Sequence, residues 1–343
     1  MTKIKGYGER AFIEKIARIF GENGANVVKG IGDDASVTLT PRSDYLVTTT
    51  DSLIEGIHFR REWTTGRLLG RKLVSISVSD IAAMGANPEF LLISIAVPEN
   101  TDVEFLEDIY LGIKDVTSEF DFPLVGGNTA ASTAHMMLTS TLLASADKQA
   151  IAYRNGALEG HDIYVSGTLG DSSLGLMALR QMGAAAAKDE NYVDAVARHL
   201  APSPRLRAGL ELTKRGIASA MADISDGVFL DAWRIAEASN TGFEIDSDLL
   251  PLSAKARRHI EKHPDDAPDI LRGGEDYELI FTASPDKKSD VAGLAAELKT
   301  PLTRIGTVTA KEKGAVITGA SGNALKGAGI AGYEHFMPAK KDP

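Results

Sequence analysis

Six aspartates at turns, or at the ends of apolar segments, are the residues of this sequence best suited to chemistry. They are Asp33, Asp34, Asp51, Asp80, Asp223 and Asp226. Carboxylate oxygens are hard ligands of the kind that Mg²⁺ prefers. Each one alone has an ordinary explanation, because aspartate is common in turns and at helix N-caps. If the six converge, however, their repulsion must raise some pKa values or be neutralised by divalent cations.

The first element that must position such chemistry is a predicted strand over residues 45–50, which are rich in β-favouring side chains. It runs into Asp51, so the hydroxyls of Thr49 and Thr50 and the Asp51 carboxylate would offer oxygen ligands together. His58 follows seven residues later. Taken alone, the segment fits an edge strand with a turn aspartate equally well.

The second element is a predicted helix over residues 66–84. Leu69, Leu73 and Ile76 recur at helical spacing, and Asp80 falls next on the same stripe. A carboxylate on a buried stripe needs a cation or several hydrogen bonds. The ordinary alternative is a partly exposed aspartate near the end of the helix.

The rest of the pattern predicts a mixed α/β (α+β) protein with two halves. Helices are expected over 8–20, 102–120, 172–182, 205–215, 228–239, 253–263 and about 286–298, and strands over 37–40, 90–97, 136–144 and 162–166. The strand at 90–97 is continuously apolar, so we expect both of its faces to be covered. A polar stretch at 145–162 is the candidate boundary, which predicts domains over 1–150 and 151–343.

Composition excludes several classes of function. The chain has 343 residues, with 37 Lys and Arg against 47 Asp and Glu, and the net charge of −10 argues against nucleic-acid or anionic-membrane partners. It does not argue against a nucleotide, because Mg²⁺ can bridge carboxylates and phosphates. The chain contains no cysteine, which excludes disulfides, thiolate nucleophiles and iron–sulfur clusters. No apolar run is long enough to span a membrane and no signal core is evident, so we expect a cytoplasmic protein.

Familiar phosphotransfer motifs are also missing from the sequence. It contains no GxxxxGK[ST] loop and no HRD or DFG, and it lacks GxSxG as well. If this protein transfers phosphoryl groups, it must do so on a different scaffold, and a serine hydrolase is disfavoured.

Several stretches, taken together and in order, resemble the thiamine-monophosphate kinase family. They include GIGDDA (30–35), TTTDSLIEGIHF (48–59), VSDIAAMGANP (78–88), VGGNT (125–129), ADISDG (222–227) and GGEDYEL (273–279). The resemblance implies the two-domain PurM-like fold of the aminoimidazole ribonucleotide synthetase superfamily. It also implies a homodimer, in which the N-terminal mixed sheets close into a barrel, with a C-terminal α/β domain completing the site.

The same resemblance implies a reaction. ATP would donate its γ-phosphoryl group to thiamine monophosphate, giving thiamine diphosphate and ADP. No phosphoenzyme is expected, and several Mg²⁺ ions would assist direct in-line transfer.

Residue roles follow by resemblance, position by position. The metal ligands would be Asp34, Thr49, Thr50, Asp51, Asp80, Asn128, Asp223 and Asp226, with Asp33 adjacent. ATP would be contacted by Tyr110, Gly127, Asn128, Arg154 and Ser225. Thiamine monophosphate would be contacted by His58, Glu275 and Tyr333.

One position departs from the family pattern, which has aspartate where this chain has Asn128. An amide oxygen can still bind Mg²⁺ but carries no charge, so one metal position is weakened. Two alternatives stay open. One is a different enzyme of the superfamily, although selenophosphate synthetase and HypE usually depend on a cysteine. The other is a nucleotide-binding protein that has lost catalysis.

Overall fold

Two six-stranded mixed sheets, one in each half of the chain, carry the fold. We describe them from a computed structural model, in which residues 9–20, 25–40, 44–319 and 333 are described. The first sheet contains β1 (Val27–Lys29), β2 (Ser36–Leu39), β3 (Tyr45–Ile54), β4 (Asn87–Pro98), β5 (Leu124–Ser132) and β6 (Met137–Ala146). Its order is β1-β2-β3-β6-β4-β5, and only the β4–β5 pair is parallel among these strands.

The second sheet is built in the same style from the second half of the chain. It contains β7 (Asp162–Ser166), β8 (Ala220–Asp223), β9 (Gly242–Asp246), β10 (Leu279–Ala283), β11 (Leu302–Thr309) and β12 (Ala315–Thr318). Its order is β12-β9-β11-β7-β10-β8, with β12 and β9 parallel and the other pairs antiparallel.

Helices cover these sheets. They are α1 (Glu9–Phe20), α2 (Gly66–Met84), α3 (Val103–Glu119), α4 (Asp171–Met182), α5 (Val193–Leu200), α6 (Leu206–Lys214), α7 (Val228–Ala238), α8 (Ala254–Lys262), α9 (Ala267–Arg272) and α10 (Lys288–Leu298). None of the helices in the described part of the chain is both long and apolar enough to cross a membrane.

Helix α2 is the element that joins the two halves. It begins at Thr65, whose hydroxyl accepts a hydrogen bond from the Leu68 amide, and it ends at Gly85 in a left-handed conformation. It packs against β3 and β6 of the first sheet, and against α6 and β8 of the second half. It also lies very close to α3, because a Cβ at Gly70 would be only 1.9 Å from the Ile109 carbonyl oxygen. Side chains of α2 can therefore meet residues from both halves.

The predicted elements are confirmed to within a few residues, and the two-domain, mixed α/β architecture is confirmed. Helices α5 and α9 were not predicted. The strand predicted over 45–50 continues through Asp51 to Ile54, because β3 pairs with β6 along its whole length. The domain limits of 1–150 and 151–343 stay a prediction. Neither sheet closes into a barrel within the described ranges.

The expectation that both faces of the strand at 90–97 are covered was wrong for the single chain. Leu91, Ile93 and Ile95 are buried, but Phe90 is 45% exposed and Leu92 is 39% exposed. The reason is that the helices of this half pack on one face of the first sheet and leave the other uncovered. The apolar run at 90–97 suggested that both faces of the strand are covered, but it did not show which element would cover the second face.

Candidate active site

Three aspartates converge from three different elements. Asp34 lies in the loop before β2, Asp80 is on α2, and Asp223 ends β8. Each offers a carboxylate oxygen, and these oxygens all lie within 4.8 Å of one another. Such a set of hard oxygen ligands suits a divalent cation such as Mg²⁺. We call these three residues the acid cluster.

Hydroxyl groups hold the acid cluster in place. Thr49 Oγ1 donates a hydrogen bond of 2.5 Å to Asp80 Oδ2, and Ser79 Oγ donates one of 2.7 Å to Asp223 Oδ2. Asp51 stands close enough to the cluster for its charge to contribute, after burial, to the raised pKa of Asp80, and its Oδ2 accepts a hydrogen bond of 2.7 Å from Ser77 Oγ on α2. These contacts bring β3 and the acidic stripe of α2 together.

The electrostatics of the site favour protons or cations. Burial, followed by repulsion from Asp51 and Asp223, raises the pKa of Asp80 well above its ordinary value. Burial, followed by repulsion from Asp34, does the same to the pKa of Asp223. The pKa values of Asp34 and Asp51 are also raised, mainly by burial. Buried carboxylates of this kind need compensating positive charge, so the donor set fits Mg²⁺.

Two basic residues face the acids, Arg154 from the segment between β6 and β7 and Lys29 from β1. Arg154 makes a forked contact with Asp34, with Nη2 2.6 Å from Oδ1 and Nε 3.2 Å from Oδ2. The Arg154 amide donates to Asp33, whose carboxylate also lies 2.9 Å from Lys29 Nζ. Asp33 is thus paired with a backbone amide and with a lysine. Arg154 lies at the acid cluster, and its planar guanidinium is suited to binding phosphate oxygens.

The loop after β8 brings further predicted residues to the same place. Asp226 lies in it, but its carboxylate is 2.6 Å from Arg234 Nη2 and is therefore paired outside the acid cluster. The Ser225 carbonyl accepts a hydrogen bond of 2.7 Å from the Glu275 amide, and the Asp226 carbonyl accepts one of 3.0 Å from the Tyr333 amide. Predicted nucleotide and acceptor residues therefore meet along one loop.

Two of the three predicted acceptor residues, Glu275 and Tyr333, bond this loop through their backbone amides. His58 follows β3, and its Nδ1 accepts a hydrogen bond of 3.0 Å from the Ile54 amide. Burial raises the pKa of Glu275, but the charge of Lys72 lowers it below its ordinary value, and His58 is close enough to contribute in the same direction. Tyr333 is half exposed. The backbone contacts and charges thus place His58, Glu275 and Tyr333 around one region.

Four predicted residues are not brought to the acid cluster within the single chain. The Thr50 hydroxyl points to the opposite face of β3 from Asp51 and bonds the Ser140 carbonyl at 3.0 Å. Gly127 is level with Asp51, since Asp51 pairs with Ser140, Ser140 with Ile93, and Ile93 with Gly127. It lies three strands away, about 14 Å at the usual strand spacing.

The other two of these residues are Asn128 and Tyr110. Asn128 follows Gly127 on the exposed edge strand β5, where it pairs with Ser94. Tyr110 is on α3, where it lines a cavity of about 590 Å³ with Leu106 and Lys114. The roles of Thr50, Gly127, Asn128 and Tyr110 therefore stay predictions.

The structure adds residues that sequence reasoning missed. Buried Asp231 on α7 accepts hydrogen bonds of 3.1 Å from the amides of Asp226 and Gly227, and it pairs with Arg234 at 2.7 Å. Burial raises the pKa of Asp231 to about 7. Lys72 was also missed, although it lies three residues after Leu69 and so falls on the predicted buried stripe of α2. A lysine on that stripe was a usable signal.

Comparison with known proteins shows the family of the chain. Residues 32–146 match the N-terminal domain of AIR synthase related proteins, and residues 159–319 match their C-terminal domain. The chain is 36% identical over 291 residues to the thiamine-monophosphate kinase of Escherichia coli (strain K12), covering 84% of this chain and 86% of the relative. It is 30% identical over 316 residues to that of Bacillus subtilis (strain 168), covering 91% and 94%.

Solved structures lead to the same family. AaThiL complexed with AMPPCP and TMP has a TM-score of 0.82 at 31% identity, covering 98% of this chain and 99% of that one. Thiamine-monophosphate kinase from Stenotrophomonas maltophilia K279a has a TM-score of 0.75 at 35% identity, covering 91% and 97%. With two domain models and full-length relatives in agreement, the chain belongs to the thiamine-monophosphate kinase family of AIR synthase related proteins.

Proposed function

We propose that this protein transfers the γ-phosphoryl group of ATP to thiamine monophosphate, producing thiamine diphosphate and ADP. The observation that carries the proposal is the acid cluster, in which Asp34, Asp80 and Asp223 bring oxygens within 4.8 Å of one another beside the Arg154 fork. The family supports it, as does the AaThiL structure complexed with AMPPCP and TMP.

The acid cluster would hold Mg²⁺, with Asp51 and the Thr49 hydroxyl beside it. Mg²⁺ bound there would neutralise phosphate oxygens and orient them. Arg154 has the geometry to bind phosphate oxygens in a planar fork once its contact with Asp34 opens. Asp226, in the loop after β8, is paired at 2.6 Å with Arg234 on α7, and this pair would have to open before Asp226 could hold the ion or Arg234 could bind phosphate.

The transfer itself needs no covalent enzyme intermediate. An oxygen of the acceptor phosphate forms a bond to the γ-phosphorus, and the bond from that phosphorus to the bridging oxygen breaks, so its electron pair leaves with ADP. The acceptor phosphate is largely deprotonated near pH 7, because the second pKa of a phosphate monoester is about 6. Positioning and charge neutralisation are therefore what the residues of this site must provide.

A direct assay tests the proposal. The purified protein is incubated with thiamine monophosphate, ATP and Mg²⁺, and thiamine diphosphate is measured by chromatography. We expect product with the wild type and none with Asp80→Asn or with excess chelator. Failure of the wild type to form thiamine diphosphate over a range of pH and Mg²⁺ would refute it. Turnover of formylglycinamidine ribonucleotide in a parallel reaction would instead indicate the purine enzyme of the superfamily.

A homodimer is the second part of the proposal. The uncovered face of the first sheet exposes Phe90, Leu92 and Met137, and β5 is exposed along nearly its whole length. A second copy on this face would bury the apolar side chains and lie near Gly127 and Asn128. Sedimentation at micromolar concentration tests this part. We expect twice the monomer mass for the wild type and the monomer mass for Leu92→Asp. A monomeric wild type would contradict it.

A further inference from the structure

A buried lysine stands behind the predicted acceptor side of the site. Lys72 is on α2 and only 2% exposed, which is rare for lysine unless its charge is compensated. Its Nζ lies 2.7 Å from Glu275 Oε1. The contact is an ion pair rather than a well-directed hydrogen bond, and nothing in the described ranges of the chain accepts such a bond from this ammonium. Lys72 therefore has one evident partner, the carboxylate of Glu275.

The second oxygen of Glu275 is also engaged. Glu275 Oε2 lies 3.4 Å from Nδ1 of His199 on α5, and this same nitrogen is 3.1 Å from Ser172 Oγ on α4. His199 is neutral, because burial and then the Lys72 charge lower its pKa to about 3. Glu275 thus receives a full positive charge from Lys72 and a neutral polar contact from His199.

The backbone around Glu275 is equally constrained. Glu275 has a positive φ of 63°, and its amide donates to the Ser225 carbonyl at 2.7 Å. The residue before it must be glycine, since a Cβ at Gly274 would lie 2.2 Å from that carbonyl. A left-handed backbone at a residue other than glycine is strained, and such strain is retained where the surrounding structure enforces it. Glu275 is therefore held in place through both its backbone and its side chain.

The exposed fractions of the three side chains show that Glu275 faces the surface and that Lys72 and His199 lie behind it. The Glu275 side chain is 26% exposed, whereas those of Lys72 and His199 are 3% and 4% exposed. Burial alone would raise the pKa of Glu275, but the charge of Lys72 outweighs it, so the pKa lies below its ordinary value. Glu275 therefore presents an ionised carboxylate to the acceptor, and its counter-ion, Lys72, is buried behind it.

We propose that Lys72 is a positioning residue for the acceptor, which fixes Glu275 as an immobile, charged carboxylate facing the cationic organic part of the phosphate monoester. This inference depends on the proposed kinase function. A carboxylate repels the phosphate of the acceptor and attracts a positively charged ring, so it gives the acceptor one orientation. Lys72 is too buried to touch the acceptor and acts through Glu275.

The test separates acceptor binding from nucleotide binding. Lys72→Met keeps a similar volume without the charge, and exposed Lys188→Met is the matched control. We expect Lys72→Met to raise the KM for thiamine monophosphate about tenfold, with the KM for ATP changed by less than about twofold. Lys188→Met should behave as the wild type. An unchanged KM for the acceptor, or equal rises for both substrates, would overturn the inference.

A double-mutant cycle shows whether Lys72 acts through Glu275. In Glu275→Gln the carboxylate is absent, so adding Lys72→Met should change the acceptor KM by less than about twofold. An additive loss in the double variant would show an independent role for Lys72 and contradict the inference. Each single variant leaves one buried charge unpaired and the double variant leaves none, so the double variant should fold better than either and still reports the acceptor KM if a single variant folds poorly.

Activity of the wild type distinguishes the two proposals. If the wild type phosphorylates thiamine monophosphate and the variants show no selective effect, only the role of Lys72 fails. If the wild type forms no thiamine diphosphate, the proposed function fails, and the inference fails with it. Thermal unfolding of every variant, recorded alongside, identifies any general loss of folded protein.

Discussion

Ser79 donates a hydrogen bond of 2.7 Å to Asp223, although the two residues are 144 positions apart. This bond joins α2, which packs on the first sheet, to the end of β8 in the second. It also sets the position of a carboxylate in the acid cluster, because Asp80 is the next residue of α2. The assembly of the site and the docking of the two halves therefore depend on the same contact.

Ser79→Ala tests this link. The change leaves the buried Asp223 carboxyl without its hydroxyl donor, so its pKa should rise further and its affinity for a cation should fall. We expect the free energy of unfolding to fall by about 1–3 kcal/mol, and the Mg²⁺ concentration for half-maximal activity to increase. Denaturant unfolding and a Mg²⁺ titration of activity measure the two effects. Unchanged values in both would show that the bond is unimportant.

Asp80→Asn should separate activity from stability. The variant removes a carboxylate that lies among Asp34, Asp51 and Asp223, so catalysis should fall by at least about 10³-fold as Mg²⁺ binding is lost. Without Mg²⁺ the same variant should be no less stable than the wild type, because like charges repel in the wild-type cluster. Unfolding in chelator, compared with the wild type, measures this. Clear destabilisation in chelator would argue that Asp80 is mainly structural.

The stability of the Mg²⁺-free protein should decrease as the pH rises. The pKa values of Asp80 and Asp223 are raised, and that of Asp231 is raised to about 7 from an ordinary 3.8. A raised folded-state pKa contributes stability that is present below the ordinary value and is lost as the pH rises through the folded value. We therefore expect stability in chelator to fall between about pH 4 and pH 7 and beyond.

Mg²⁺ should reverse this pH dependence, because the cation replaces protons on the acid cluster. The stabilisation on adding Mg²⁺ should thus be larger at pH 8 than at pH 5. Urea unfolding at several pH values, with chelator and with Mg²⁺, measures both curves. Equal stabilisation by Mg²⁺ at the two pH values would count against binding at these carboxyl groups.

Arg154→Lys tests the fork at the acid cluster. Lysine keeps the charge that pairs with Asp34 but cannot make two parallel contacts with a phosphate. We expect the KM for ATP to rise about tenfold, with a smaller change in the KM for the acceptor. The control is Arg67→Lys, since Arg67 makes a similar fork to Asp115 on the surface of α3. Similar kinetics for the two variants would remove Arg154 from the nucleotide site.

Asn128→Asp tests the departure from the family pattern. If Asn128 is a weak metal ligand, as the resemblance implies, a carboxylate there should lower the Mg²⁺ concentration needed for half-maximal activity. Exposed Asn87→Asp, on β4, adds the same charge elsewhere on the first sheet and should have no effect. A Mg²⁺ titration of activity compares them. An identical response of both variants would place Asn128 outside the metal site.

The elements of this fold were largely predictable, because hydrophobic periodicity is a local property of the chain. The spacing of Leu69, Leu73, Ile76 and Asp80 predicted α2 and its acidic stripe. Family motifs identified the acids themselves. Alternation of side chains along a strand also separates Thr50 from Asp51, and this was available from the sequence but not used.

Only the tertiary structure decided which distant polar and charged groups meet. Arg154 pairs with Asp34, Lys72 with Glu275 and Ser79 with Asp223 across separations of 120 residues or more. Such contacts depend on how α2 packs between the two halves, and no local pattern specifies that. The sequence alone determined which residues carry charge and which face of each element is apolar. The packing of the whole chain decided which charges meet, because burial makes an unpaired charge too costly to leave in place.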